Sequence, residues 1–219
     1  MDLSYSTGNI FPVPIHVFDI KDFKLYQKDL IDYAYTLRSK DPKTSKGSNY
    51  GVKSSIRSTI EGWQSKTFPL NDESDKLHSL LMGCITSLPS LKENINIYSK
   101  AWVNINSPGS LNLQHSHPSC DLSGVLWVKF PDKSGNIFFH SPSRFETFQE
   151  IESYTEDFKN NNNYHHSYWF PPIEGRMLIF PSHLEHDVRE NLSNEDRISV
   201  SFNIKLENKK IVWSEQLTI

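Results

Sequence analysis

The amino-acid sequence predicts a mainly β fold, an antiparallel sandwich, barrel or jelly roll, with two N-terminal helices padding the outer face of one sheet. Three observations predict it. From about residue 95 onward, short alternating or aromatic-rich runs follow one another: INIYSKAWVNI, LSGVLWVKF, GNIFFH, HHSYWF, GRMLIFP, DVREN, RISVSFNIKL and KIVWSE. Pro-Gly, Asp-Lys-Ser-Gly, Pro-Pro and Asn-Glu-Asp separate them, and short strands at close spacing between turn signals indicate such folds. Before residue 95, apolar residues recur instead at three- and four-residue steps, the period of a helix with one buried face.

In chain order, residues 10–18 alternate apolar side chains around Pro12 and Pro14, which reads as an edge strand. Residues 21–38 form a first helix, with Phe23, Tyr26, Leu30, Ile31, Ala34 and Leu37 on its apolar face. The polar stretch 39–51 reads as a mobile loop. A second helix is predicted over about residues 73–88, striped by Leu77, Leu80, Leu81, Cys84, Ile85 and Leu88. Asn71 or Asp72 can cap it, and Pro89 helps to end it. Two helices alone bury too little to stand unaided. The chain is therefore expected to be one domain over residues 1–219, a strand and helical flank (1–95) on a β core (96–219).

The 219 residues are 37% hydrophobic and 22% charged, with thirteen Phe, nine Tyr and five Trp, enough for a sizeable core. The net charge is -3, and without a basic stripe no nucleic-acid partner is expected. Cys84 and Cys120 make no CxxC pair. A reducing cytoplasmic setting is therefore expected rather than a disulfide framework. Neither a leader peptide nor a run of about 18 apolar residues is visible, so no membrane partner is expected. Histidine is the uneven residue: seven of the nine fall between His115 and His186.

Three patterns can carry chemistry. Gln114-His115-Ser116-His117-Pro118 follows Pro108-Gly109. On an extended strand His115 and His117 share a face, which makes half of a metal site. The plainer reading is two polar residues near a turn. Phe180-Pro181-Ser182-His183-Leu184-Glu185-His186 can supply a third imidazole. His186, at the start of a fresh strand, is the better ligand, and His183 reads as a loop residue. Further on, alternation places Arg197, Ser199 and Ser201 on one face and Ile198, Val200 and Phe202 on the other. An inward guanidinium beside a hydroxyl clamps a carboxylate. A surface Arg197 paired with Glu195 or Asp196 is the alternative.

In order and spacing, the set PG-x5-H-x-H, SGVLWV, P-x2-SG-x4-H-x-P, EGRMLIFPSHLEH and R-x-S-x-S-F-N resembles the 2-oxoglutarate/Fe(II)-dependent oxygenases. The nearest likeness is to a prolyl-hydroxylase-like branch common in marine bacteria and phages, which IFPVPI and Gly62-Trp63-Gln64-Ser65 also resemble. The densest match runs from Trp102 to Asn203. The resemblance implies a double-stranded β-helix, the jelly roll also seen in cupins. It further implies Fe(II), 2-oxoglutarate as co-substrate, O2, and hydroxylation of a peptidyl or small-molecule substrate. Carried over residue by residue, His115 and His186 are metal ligands, and Arg197 with Ser199 holds the far carboxylate of 2-oxoglutarate.

The departure is at the second ligand, where the family carries a carboxylate and this chain carries His117. That implies a three-histidine site, with Asp121 as the alternative ligand. Asn104 and Trp102 share a face on the preceding strand, and Asn104 is a candidate to orient the co-substrate. Trp127 sits where the family often has a Tyr beside 2-oxoglutarate. His140 and Arg144 are candidates for the substrate mouth. The polar run 150–166 reads as a flexible insertion, a candidate lid. Two rivals stay open, a cupin-like three-histidine metal protein without 2-oxoglutarate and a non-catalytic jelly-roll module. A homodimer is left open as well.

Overall fold

The structure, a computed structural model, describes Ser4 and residues 12–42, 58–71, 75–92, 94–143 and 152–209. Those residues form β1 (His16–Asp19), α1 (Lys24–Lys40), β2 (Thr59–Ile60), β3 (Trp63–Gln64), β4 (Phe68–Pro69), α2 (Lys76–Thr86), β5 (Ile95–Asn106), β6 (Leu111–His115), β7 (Leu122–Lys129), β8 (Ile137–His140), α3 (Glu156–Asn162), β9 (Ser167–Phe170), β10 (Arg176–Pro181), β11 (His186–Val188) and β12 (Arg197–Asn208). Readings that fall on residues 10–11, 43–51, 72–74, 144–151 and 210–215, Arg144 among them, lie outside the described residues.

Period-two alternation sets the architecture. Along β12, Ile198, Val200, Phe202 and Ile204 enter the main core, while Arg197, Ser199, Ser201 and Asn203 line a pocket on the opposite face. β5 pairs antiparallel with β12, from Asn106 opposite Arg197 to Ile95 opposite Asn208, and repeats the split. Ala101, Val103 and Ile105 are core residues, and Trp102, Asn104 and Asn106 line the pocket. The larger sheet runs β1-β10-β7-β12-β5-β3, with β4 also on β5; the smaller runs β2-β6-β11-β8-β9. The two are joined on their inner faces by a second cluster, in which Trp127, Leu178 and Phe180 meet Ile137, Phe139 and Leu184.

Both N-terminal helices pack as the periodicity requires. Leu30 and Ala34 of α1 and Leu77, Leu81 and Ile85 of α2 share the main core with the outward side chains of β5, β7, β10 and β12. The helices start and stop within three residues of expectation, but the cap differs. It is Asp75, whose carboxylate accepts from the Leu77 N–H at 2.8 Å, not Asn71 or Asp72. β1 is an edge strand as read, pairing with β10. It begins only at His16, since Pro12 and Pro14 have no N–H to give a ladder. No helix among the described residues is long and apolar enough to cross a membrane.

Within the polar run 150–166, read as a flexible insertion and candidate lid, the described residues include a helix. Glu156–Asn162 form α3, capped by Thr155, whose hydroxyl accepts from the Phe158 N–H at 3.2 Å. The rings of Tyr154 and Phe158 stack at 4.5 Å, and Tyr164 closes edge-on to Tyr154 at 5.6 Å. A threonine cap and an aromatic pair four residues apart are local helix signals, and they outweigh the asparagines here.

One glycine on β7 is required by packing. Gly124 pairs with Phe202 of β12, and a Cβ there would run into the Phe202 ring and the Leu178 carbonyl oxygen. Gly124→Ala is expected to lower stability by about 1–3 kcal/mol, roughly 2–4 °C in Tm per kcal/mol for a chain of this size. Thermal denaturation by circular dichroism measures it; an unchanged Tm contradicts this packing.

Candidate active site

The pairing of β6 with β11 in the smaller sheet brings distant histidines together. β6 lies antiparallel to β11 with His115 directly opposite His186, and their ring centroids are 4.3 Å apart. Each ring is oriented by a backbone carbonyl two residues earlier: His115 Nδ1 lies 2.7 Å from Leu113 O, and His186 Nδ1 lies 3.0 Å from Leu184 O. A carbonyl only accepts, so Nδ1 carries the proton in both rings and each Nε2 keeps a free lone pair.

His117 arrives differently from the strand parity expected. β6 stops at His115, and the His117 N–H donates to Ser182 O at 2.8 Å. That bond ties the turn after β6 to the turn before β11. The Ser182 and Ser123 hydroxyls, 2.7 Å apart, tie both to β7. The His117 ring then lies 5.0 Å from His115, 5.2 Å from His186 and 5.9 Å from Trp102, centroid to centroid. One ligand atom from each of the three histidines lies within 4.8 Å of the others, so the group can hold a metal ion.

Burial, with repulsion between the rings, holds these imidazoles neutral. His186 is pushed down to about 3 and His117 to about 4, and His115 is lowered as well, burial being the largest cause in each case. At neutral pH the three therefore present lone pairs rather than protons. All-nitrogen donors of this kind suit Fe, Zn, Cu or Ni.

Asp121, the alternative second ligand, is engaged elsewhere. Its carboxylate accepts from the Leu206 N–H at 2.8 Å and pairs with Lys205 at 3.2 Å, at the far end of β12. Among the described residues no carboxylate joins the three histidines. His183 is exposed on its turn, as read. His140 does not line the pocket mouth: Asp187 Oδ2 holds its Nε2 at 2.6 Å, and Arg189 lies 3.2 Å from the other oxygen of Asp187.

The histidines and Arg197 line one pocket of about 500 Å³. Arg197 is 2% exposed. Its Nη1 donates to the carbonyls of Ser134, Gly135 (3.3 Å) and Arg189 (3.1 Å), while its Nη2 has no partner. Gly135, at φ +91°, is needed here, because a Cβ would strike Arg189 O and crowd Nη1. Burial pushes Arg197 down to about 10, which leaves it charged at neutral pH. The carbonyls are dipoles, not counter-charges, and a buried cation without an anion is costly. Ser199 and Asn104, paired across β12 and β5, lie in the same wall. The Asn104 amide donates to Ser201 Oγ at 3.0 Å and leaves Oδ1 unpaired. Trp127 is 3% exposed and lines the same pocket. The roles of Ser182, Gly135 and Asn106 were missed in sequence. Asn106 shares the parity of Trp102 and Asn104 and could have been found by it.

Residues 100–203, which contain all three histidines and Arg197, match a protein family described as "Putative 2OG-Fe(II) oxygenase". The β core is thus similar in sequence to that family. Among solved structures, a Pseudomonas putida prolyl-4-hydroxylase superposes with a TM-score of 0.56 at 11% identity, over 87% of this chain and 91% of that one. A Trichoplax adhaerens prolyl hydroxylase, in complex with a hypoxia inducible factor oxygen degradation domain peptide fragment, gives 0.54 at 12% identity, over 87% and 83%. The non-heme alpha-ketoglutarate-dependent carbocyclase SnoK from nogalamycin biosynthesis gives 0.55 at 10% identity, over 93% and 85%. At these identities the likeness is one of fold, and the fold is the jelly roll of the 2OG-Fe(II) oxygenases. No curated protein matches the chain in sequence.

The lowered imidazole pKa values set a pH dependence for the metal-free oxygenase fold. With folded values below the ordinary 6.5, the unfolded chain takes up protons first as pH falls. The stability these groups contribute is complete above about pH 6.5 and is lost toward pH 4, by up to ~1.4 kcal/mol per pH unit for each group. Denaturant titrations of metal-free protein at pH 7.5, 6 and 5 should show this decline, and the variant carrying His117→Gln and His186→Gln should decline less. Parallel profiles for the two proteins contradict it.

Proposed function

We propose that the protein is a 2-oxoglutarate- and Fe(II)-dependent dioxygenase that hydroxylates a small-molecule or peptidyl substrate. His115, His117 and His186 are its metal ligands, Arg197 and Ser199 hold the far carboxylate of the co-substrate, and Asn104 and Trp127 shape the pocket between them. The observation that carries this reading is the buried, charged Arg197 with a free Nη2 in the same pocket as three neutral imidazoles. A metal site alone gives such a guanidinium nothing to do, which disfavours a cupin-like metal protein without 2-oxoglutarate. A binding module gives no reason for three lone pairs to converge.

When bound, Fe(II) supplies the redox chemistry by which O2 and 2-oxoglutarate become succinate and carbon dioxide while a substrate C–H becomes C–OH. The chain's own residues bind, orient and exclude water. The carbonyls of Leu113 and Leu184 keep two Nε2 lone pairs aimed at the metal position. Three neutral ligands leave the ion its full double charge, so the dianionic co-substrate meets positive charge at both ends. Phe139 and Phe180 set apolar rings against His186, in a cluster that also holds Trp127. A peptidyl substrate finds support in the Trichoplax relative, which is bound to a peptide.

Anaerobic protein with Fe(II) and 2-oxoglutarate should develop a visible charge-transfer band, and aerobic protein should release succinate. Arg197→Lys should weaken 2-oxoglutarate at least about tenfold by losing the guanidinium fork, with metal affinity within a few-fold of wild type. Absence of both the band and succinate overturns the reading. Comparable loss of metal and co-substrate binding in Arg197→Lys assigns Arg197 a structural role.

A further inference from the structure

Buried polar atoms without partners are rare in folded proteins, and each calls for an explanation. Among the described residues, five side-chain atoms are in this state: His78 Nδ1, Asn104 Oδ1, Asn106 Nδ2, Ser134 Oγ and Arg197 Nη2. Asn104, Asn106 and Arg197 line the same pocket, and Ser134 belongs to the turn that cradles Arg197. The unmet demand is thus gathered at one end of the site.

The strand register orders that demand. Asn106 lies directly opposite Arg197, Ser199 opposite Asn104, and Ser201 opposite Trp102, whose ring meets His117. The three rows therefore lead from the guanidinium toward the histidines. Directly opposed residues carry their Cβ atoms about 4.5–5.5 Å apart, a gap one carboxylate spans. The unpaired atoms in the first row are both donors, Arg197 Nη2 and Asn106 Nδ2. The unpaired atom in the second row, Asn104 Oδ1, is an acceptor and repels an anion. The carboxylate thus belongs in the first row.

Resting on the proposed co-substrate, we infer that Asn106 binds 2-oxoglutarate directly, its side-chain amide donating to the far carboxylate beside Arg197. Ser199, in the next row toward the metal, reaches the same carboxylate from that side. Asn106 is 1% exposed. Its backbone is fixed separately, its carbonyl accepting from the Asn191 amide at 2.9 Å, so truncating the side chain leaves that bond in place.

The test uses protein loaded with Mn(II), a redox-silent stand-in, and calorimetric titration with 2-oxoglutarate and with pyruvate, which has no far carboxylate. Asn106→Ala should weaken 2-oxoglutarate about 10- to 100-fold, the loss expected for a hydrogen bond to a charged group, and leave pyruvate binding unchanged. The near-isosteric Asn106→Asp should weaken 2-oxoglutarate further by placing like charge in the row. The ligand-free Tm of Asn106→Ala should equal or exceed that of wild type, because an unpaired donor is removed. Unchanged 2-oxoglutarate affinity in both variants overturns the role of Asn106 while the proposed function stands. A lower ligand-free Tm with equal loss for both ligands makes Asn106 structural and overturns it too. Wild-type protein that binds no 2-oxoglutarate in the presence of metal overturns the inference together with the function beneath it.

Discussion

From Arg197 opposite Asn106 to Asn208 opposite Ile95, β12 and β5 pair in unbroken antiparallel register, and the larger sheet is built around that ladder. A slip of one residue would turn every side chain to the other face. It would put Ile198, Val200 and Phe202 into the pocket and drive Arg197 into the helices. The register is held by those same apolar residues, which have nowhere to go but the core shared with Leu30, Leu81 and Ile85. Packing on one face thereby positions chemistry on the other.

The chemistry is assembled at a cost in stability. Three imidazoles are desolvated in mutual contact, and, among the described residues, a guanidinium is buried on carbonyl oxygens. Several donors and acceptors have no partner. None of this helps the free chain to fold. On the proposed reading each feature is met by one kind of guest: a cation for the lone pairs, and an anion for the guanidinium and the Asn106 amide. Binding free energy is then coupled to folding, and a protein that binds both guests should be markedly more stable than one that binds neither.

Much of this was legible in the sequence, for identifiable reasons. The alternation of β12 gave its two faces, and the helical stripes gave the padding of the larger sheet. His186 was separable from His183 because one opens a strand and the other sits on a turn. Local pattern is not sufficient where a distant partner sets a residue's position. His117 was assigned to a strand that in fact ends at His115; its position comes from a turn-to-turn hydrogen bond to Ser182, which no local spacing reveals. Asp121 was a candidate by proximity in sequence, but the Leu206 N–H and Lys205 claim it. His140 was a candidate for the mouth, with a turn position as the alternative, and its ring is held by Asp187. Asn106 was overlooked because parity was followed from Trp102 only as far as Asn104. The helix in 156–162 was obscured by its asparagines, although the Thr155 cap and the Tyr154–Phe158 pair were there to be read.

The central claim is that residues 115, 117 and 186 converge on one ion while Arg197 faces an anion in the same cavity. A crystal structure with Mn(II) and 2-oxoglutarate, phased to show the metal's anomalous signal, tests it most directly. The account predicts one peak within bonding distance of the three Nε2 atoms, with a carboxylate against Arg197. A metal ligated by Asp121, or a peak away from the histidines, contradicts it.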